Sequence, residues 1–191
     1  MIRFLHRTAK RAFWLLVALP VACWAQAPIA TTPSGPVQGR VVDDVAVFRG
    51  IPFAAPPVGD LRWREPQALP AWSETRQSVS NAASCPQKRG LSLEGGGDPG
   101  KLDEDCLYLN VFTSGADAGA RRPVMVWIHG GALIFGSGGL AIYDGSALAR
   151  RGVVVVTINY RLGALGFFAH PALDKEQPGG PANFGLLDQI A

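Results

Sequence analysis

Val124-Met125-Val126-Trp127-Ile128-His129-Gly130-Gly131-Ala132 decides the fold of this 191-residue chain. Five consecutive apolar residues make a continuous run rather than an alternating one, which fits a β-strand buried on both faces of a parallel sheet. The run enters His129-Gly130-Gly131-Ala132, where glycine permits backbone paths and close approaches that a side chain forbids. Such a turn can aim successive N–H groups into a cavity instead of into the sheet. Donors placed that way stabilise an oxygen that becomes negative during ester cleavage, and losing one costs about a hundred- to a thousandfold in rate.

Outward from that stretch, composition sets the bounds. Hydrophobic residues make up 48% and charged residues 17%, the balance of a globular chain rather than a disordered one. The first residues stand apart. Arg3, Arg7, Lys10 and Arg11 precede an apolar run, Ala12 to Ala22, and small residues follow around Ala25 and Ala27. A basic start, a short apolar middle and a small-residue exit describe a secretory signal over residues 1–25. Cleavage after Ala25 leaves Gln26 first; cleavage after Ala27 leaves Pro28 and is less favourable. The apolar run is too short for a comfortable membrane span. Lipid attachment at Cys23 is disfavoured by Pro20, which stands where a lipoprotein signal carries an aliphatic residue. The expected location is secreted or periplasmic, with no stable membrane span after processing. Removing residues 1–25 takes away four cations and no anions, so the formal charge moves from +3 to −1. The basic balance therefore belongs to the export segment and points to no nucleic-acid partner. Cys85 and Cys106 remain, and an even number in an oxidising compartment points to a disulfide, with two unpaired thiols as the alternative. A bridge closing a loop of that length contributes roughly 3 kcal/mol. No His or further Cys sits at metal-ligand spacing, so no metal is expected.

Val37 to Phe48 reads as a hairpin about an Asp43-Asp44 turn. Residues 50–72 carry Pro52, Pro56, Pro57, Pro66 and Pro70, which exclude helix and central strand and leave an extended segment pinned by Trp63 and Trp72. Pro86 to Asp105 is a surface loop, Leu107 to Phe112 a strand, and Ser114 to Arg122 a polar turn. Ser146 to Arg151 is a short helix stopped by Gly152. Val153 to Ile158 is a second buried strand, and Leu162 to Lys175 a loop with short helical turns. Asn183 is placed to cap a helix that begins at Phe184 and is still running at Ala191, which suggests a truncated domain. The class is α/β: an antiparallel hairpin leading into a mostly parallel sheet, incomplete. Core packing is the expectation for Trp63, Trp72 and Trp127.

Together these segments resemble the type-B carboxylesterase family, the cholinesterase-like α/β-hydrolases. The proline-rich block Gly50 to Pro66, the cysteine signature Glu104 to Phe112 and the glycine loop His129 to Ser137 are similar to its motifs. Asn159 to Phe167 and Asn183 to Gln189 complete the set in the family's order. The resemblance implies that residues 26–191 are the N-terminal portion of an α/β-hydrolase domain, truncated. It implies a Cys85–Cys106 disulfide, oxyanion donors at the N–H groups of Gly131 and Ala132, and loop support from Gly130 and His129. It also implies two structural ion pairs, Arg62 with Glu104 and Arg161 with Asp188. The fork of Arg suits a carboxylate, and truncating one partner of a buried pair costs roughly 3–5 kcal/mol. Leu133 and Ser114 depart from the family's usual aromatic and proline. Between Cys85 and Cys106 there is no aromatic residue, whereas a choline-type cation is held over an aromatic face; cholinesterase specificity is not expected.

The implied activity is serine-type hydrolysis of small neutral carboxylic esters through an acyl-enzyme, without metal or cofactor. That chemistry needs a serine on a Gly-x-Ser-x-Gly elbow, and none occurs here. Gly90-Leu91-Ser92-Leu93-Glu94 is the nearest approach and lies in the cysteine loop. The triad is absent from these residues, and the fragment by itself is expected to be inactive. His129 is expected to prop the loop through hydrogen bonds, and His170, before Pro171, to be a surface or capping residue. Asp103-Glu104-Asp105 is expected to be a loop-edge charge cluster with one structural partner. Two other readings compete. Gly136-Ser137-Gly138-Gly139-Leu140-Ala141 matches a dinucleotide fingerprint with Arg161 beyond it, but follows its strand too late. A catalytically dead, cholinesterase-like binding or adhesion protein would keep the fold without the serine. Neither oligomeric state nor acyl and alcohol preference is legible.

Overall fold

The computed structural model describes residues 27–91, 96–117, 119–180 and 182–191. The proposed signal over residues 1–25 lies outside them. A small sheet carries β1 (Ile29–Thr32), β2 (Gly35–Gln38) and β5 (Arg76–Gln77) in the order β1-β2-β5. A five-stranded sheet follows from β3 (Arg40–Val42), β4 (Val45–Pro52), β6 (Tyr108–Thr113), β7 (Val124–Ile128) and β8 (Val154–Ile158), in the order β3-β4-β6-β8-β7.

The β3–β4 hairpin turns at Asp43 and Asp44 with φ of 46° and 63°, and pairs Val42 with Val45. Two consecutive left-handed residues make the tight turn whose twist matches the flanking strands, and Asp tolerates that region better than most residues. The expected first strand divides: residues 35–38 join the small sheet, while 40–42 pair with β4. Among the described residues of the large sheet only β7–β8 is parallel; the β3–β4, β4–β6 and β6–β8 pairs are antiparallel.

Alternation along β4 builds the core on both faces of the sheet. Val45 and Val47 point with Phe112 and Val155 toward Ala149 of α1 (Ser146–Ala149). Ala46, Phe48 and Ile51 point the other way, against Val37 and half-buried Trp72. A third cluster, Ala54, Cys85, Cys106, Leu107, Tyr160 and Leu162, lies at the end of the sheet where the glycine loop begins. Helix α1 is a single turn, and the chain leaves it through Gly152 at φ 87°. The prolines do not keep the whole stretch out of the sheet: residues 50–52 complete β4, with Pro52 opposite Tyr108, and beyond them the segment carries one 3-10 turn, Gly59–Leu61, and a turn at Trp63 with φ 54°.

One expectation reverses. β7 was read as buried on both faces, yet all five of its residues are exposed. The period of its sequence is that of a central strand, but among the described residues β7 lies at the edge of the sheet and pairs only with β8. Trp127, expected in the core, is accordingly 43% exposed and leans on Tyr143 at 5.3 Å between ring centres. β8 keeps the expected burial because β6 and β7 flank it. Beyond it lie α2 (Gly163–Gly166), α3 (Pro171–Glu176) and α4 (Phe184–Ile190). Asn183 stands at the start of α4, but its side chain makes no capping bond.

Candidate active site

The parallel pairing of β7 with β8 ends at Ile128 opposite Ile158, and the chain turns out of the sheet there. Gly131 adopts φ 115°, followed by Ala132 at 51° and Leu133 at 63°. Three successive left-handed residues, two of them bearing side chains, are a local strain that persists only where surroundings hold it. The turn closes on itself: the Gly131 carbonyl accepts from the N–H groups of Ile134 (3.0 Å) and Phe135 (3.2 Å). None of the described residues accepts a hydrogen bond from the N–H of Gly131 or Ala132. Gly131 is half-buried and Ala132 exposed, and neither takes part in the pairing of the sheet.

The glycines divide their work differently from the sequence expectation. A Cβ on Gly131 would lie 2.0 Å from the Phe135 carbonyl oxygen, and one on Gly136 would lie 2.2 Å from Nδ1 of His129. A Cβ on Gly130 would meet nothing within 4 Å. The steric need for glycine in this turn therefore falls on Gly131 and Gly136, while Gly130 contributes the carbonyl that His129 bonds.

His129 is 2% exposed. Its ring stacks on Tyr160 at 4.4 Å, its Nδ1 bonds the Gly130 carbonyl at 2.8 Å, and its own carbonyl accepts from the Tyr160 hydroxyl at 2.8 Å. Burial holds the imidazole below its ordinary pKa, so the ring is neutral with the Nδ1 proton on Gly130. Among the described residues Nε2 has no partner. A fixed neutral ring braces a loop.

Behind the turn sits a polar hub that residue periodicity did not reveal. Asn159 takes Gly138 N–H at 2.9 Å and the Ser137 hydroxyl at 3.2 Å on Oδ1. Its Nδ2 donates to the carbonyls of Ala83 and Cys106, both at 3.1 Å. Ser137 and Ser84 bond each other at 2.7 Å, and Asn110 and Thr157 both donate to the Gly138 carbonyl. Gln87 grips Gly136 from both sides, accepting its N–H and donating to its carbonyl at 2.8 Å each. The signal available in the sequence was chemical: Asn and Gln set among apolar residues must find partners once buried.

These bonds also dispose of the dinucleotide reading. The N–H groups of Gly136 and Gly138 that would cradle a phosphate are spent on Gln87 and Asn159, and Gly138 packs against the backbone of Ile158. Among the described residues no group of His, Cys, Asp and Glu is placed to hold a metal, and no helix is long and apolar enough to cross a membrane.

Cys85 and Cys106 form a disulfide beside Tyr160 and Leu162. Arg161 and Asp188 make a two-pronged pair, Nε to Oδ2 at 2.8 Å and Nη2 to Oδ1 at 2.7 Å, with side chains 3% and 0% exposed. The same carboxylate accepts the Arg161 backbone N–H, which pins the end of β8 to α4. Arg62 and Glu104 also pair in two-pronged fashion at 2.6 Å, but their side chains are 41% and 25% exposed. That second pair belongs to the surface, where solvent reaches both side chains. His170 heads α3, where Nδ1 accepts the Ala172 N–H at 3.1 Å. Around Glu104, Asp103 pairs with Lys101 rather than with a second carboxylate.

A model of the carboxylesterase family matches residues 26–191. The chain belongs to the carboxylesterase family. This carboxylesterase chain is 51% identical over 177 residues to the fumonisin B1 esterase of Sphingopyxis macrogoltabida, a match covering 91% of this chain and 32% of that one. Against the para-nitrobenzyl esterase of Bacillus subtilis (strain 168) it is 41% identical over 164 residues, covering 85% and 33%. A solved structure of a PNB esterase superposes with a TM-score of 0.76 at 41% identity, covering 85% of this chain and 33% of that one. The carboxylesterase chain thus spans about a third of the length of the curated relatives it matches. Its fold is a partial α/β-hydrolase fold, with the hairpin β3–β4 leading into a mixed sheet.

Proposed function

We propose that the parent protein is an exported serine carboxylesterase, in which these residues supply the oxyanion-binding turn. The observation that carries the proposal is the pair of N–H groups at Gly131 and Ala132, unpaired among the described residues and backed by a saturated polar hub. A serine oxygen adds to the ester carbonyl carbon, and the carbonyl oxygen takes up the electron pair within reach of those donors. The tetrahedral centre collapses to an acyl-enzyme as the alcohol departs with a proton, and water reverses the sequence. Donors already aligned cost no reorganisation as charge develops. The open face of Gly130 leaves the substrate room to approach. His129 braces and does not act as the base, since its ring is stacked on Tyr160 and its one unengaged nitrogen, Nε2, is buried away from solvent. The serine, its base and the orienting acid are assigned to residues outside these 191, so the chain alone turns over no ester. Small-molecule esters are the substrates, in keeping with the similarity to a fumonisin B1 esterase and a para-nitrobenzyl esterase. Residues 1–25 direct export, and the Cys85–Cys106 disulfide suits a secreted or periplasmic protein.

Hydrolysis of p-nitrophenyl acetate and labelling by a serine-directed phosphonate test this. The longest polypeptide that the gene encodes turns over the ester and labels once, at a Gly-x-Ser-x-Gly serine; residues 1–191 alone do neither. Gly131→Ala in the active polypeptide lowers kcat about a hundred- to a thousandfold with KM little changed. Stoichiometric labelling of the 191-residue chain, or full activity of the Gly131→Ala variant, contradicts the proposal.

A further inference from the structure

We propose that Gln87 is a positioning residue for the oxyanion turn, an inference that rests on the esterase reading above. Gln87 lies two residues past Cys85, on the loop the disulfide closes, and 49 residues away in sequence from the glycine it holds. Its carboxamide meets the backbone of Gly136 as a strand would, Oε1 taking the N–H and Nε2 giving to the carbonyl, both at 2.8 Å. Nε2 also donates to the Cys85 carbonyl at 3.0 Å, which fixes the amide's orientation against the disulfide. With the oxygen and the NH2 each committed, only one of the two flips of this amide satisfies these three bonds.

Gly136 is the far wall of the turn. Its Cα lies so close to the His129 ring and the Gly130 carbonyl that no side chain fits between them. One residue earlier, the Phe135 carbonyl lies equally close to Gly131, whose own carbonyl holds the Phe135 N–H. A shift of Gly136 therefore passes directly to Gly130 and Gly131. Three left-handed residues in a row do not hold this shape by themselves, so an external restraint is required. Tyr160 holds the turn at its entry through the His129 carbonyl, and the Leu133 carbonyl is held by the Gly163 N–H at 2.7 Å. Gln87 holds its exit. The disulfide thereby acts on the oxyanion donors through one side chain.

The experiment uses the longest polypeptide the gene encodes, with Gln87→Ala, Gln87→Asn and Gln87→Glu, and Gln77→Ala as a control glutamine bonded only to Gln38 on the small sheet. Gln87→Ala, and Gln87→Asn with its shorter reach, lower kcat on p-nitrophenyl acetate about 10- to 100-fold, with KM changed by less than about threefold. Gln87→Glu keeps an acceptor for the Gly136 N–H, but as a carboxylate it faces the Gly136 carbonyl with a second acceptor. Protonated, it donates there instead. Its rate relative to wild type therefore rises as pH falls from about 8 to about 5. Division by the wild-type rate at each pH removes the titration of His129, whose ring abuts Gly136. Amide exchange over residues 130–138 accelerates in Gln87→Ala and not in Gln77→Ala. Wild-type kcat in Gln87→Ala, a pH-independent ratio for Gln87→Glu, or unchanged exchange overturns the inference. Wild-type protein without ester turnover refutes the esterase reading instead, and exchange still decides whether Gln87 holds the turn.

Discussion

At the residue scale, two arginine–carboxylate pairs of the same chemistry differ in what they do, and burial separates them. Arg161 and Asp188 have given up water entirely, so removing one charge strands the other in the core. Asp188→Asn is expected to lower unfolding free energy by roughly 3–5 kcal/mol in a denaturant titration. Arg62 and Glu104 keep access to solvent, which competes for both groups and screens their attraction. Glu104→Gln is expected to leave the melting temperature nearly unchanged, and a loss as large as that of Asp188→Asn would place the proline-rich segment deeper than it lies here. The glycines sort by the same kind of measurement. Gly130→Ala meets open space and keeps the fold, whereas Gly136→Ala drives a methyl into His129 and is expected to loosen the turn and lower the melting temperature.

At the element scale, the disulfide loop and the glycine loop form one unit. Residues 83, 84, 87 and 106 all bond the segment 136–138 or the Asn159 that holds it, and Cys85 is tied to them through Gln87 and the disulfide. Reduction of Cys85–Cys106 is expected to cost about 2–4 kcal/mol through the freed loop, read as a lower denaturation midpoint with and without reductant. Little of this unit was legible in the sequence. The hairpin at Asp43-Asp44, the strand at Val154 and the turn after Ile128 were, because each follows from local residue types. The bonds of Gln87 and Asn159 were not, since they join segments distant in the chain and any Gln or Asn supplies the same groups. The exposure of β7 was illegible for another reason: Val124 to Ile128 encode how a strand packs when covered, and not whether another element covers it. The letters Gly-Gly do not tell which of the two takes the positive φ, and it is Gly131 that does.

At the scale of the whole molecule, one buried imidazole and two partly exposed carboxylates contribute to how stability depends on pH, and they act in two separate windows. His129 binds its proton less readily when folded than the ordinary value of 6.5, because burial penalises the imidazolium. Below that value the unfolded chain takes up a proton that the folded chain refuses, so stability falls as pH drops from about 6.5 toward the depressed folded pKa. Asp144, lowered by bonds to Ser146 and Arg49 that outweigh its desolvation, and Asp103, lowered by Lys101 and nearby N–H groups, act further down. Their contributions are present above the ordinary carboxylate value of 3.8 and disappear as pH falls through the lower folded values. Chemical denaturation at a series of pH values is therefore expected to show a first decline that begins near pH 6.5 and a second below the ordinary carboxylate range. His129→Gln, which cannot take up a proton, removes the first decline and leaves the second in place. A first decline of undiminished slope in that variant would mean that the imidazole is not held neutral, and with it the account of His129 as a fixed brace behind the turn would fail.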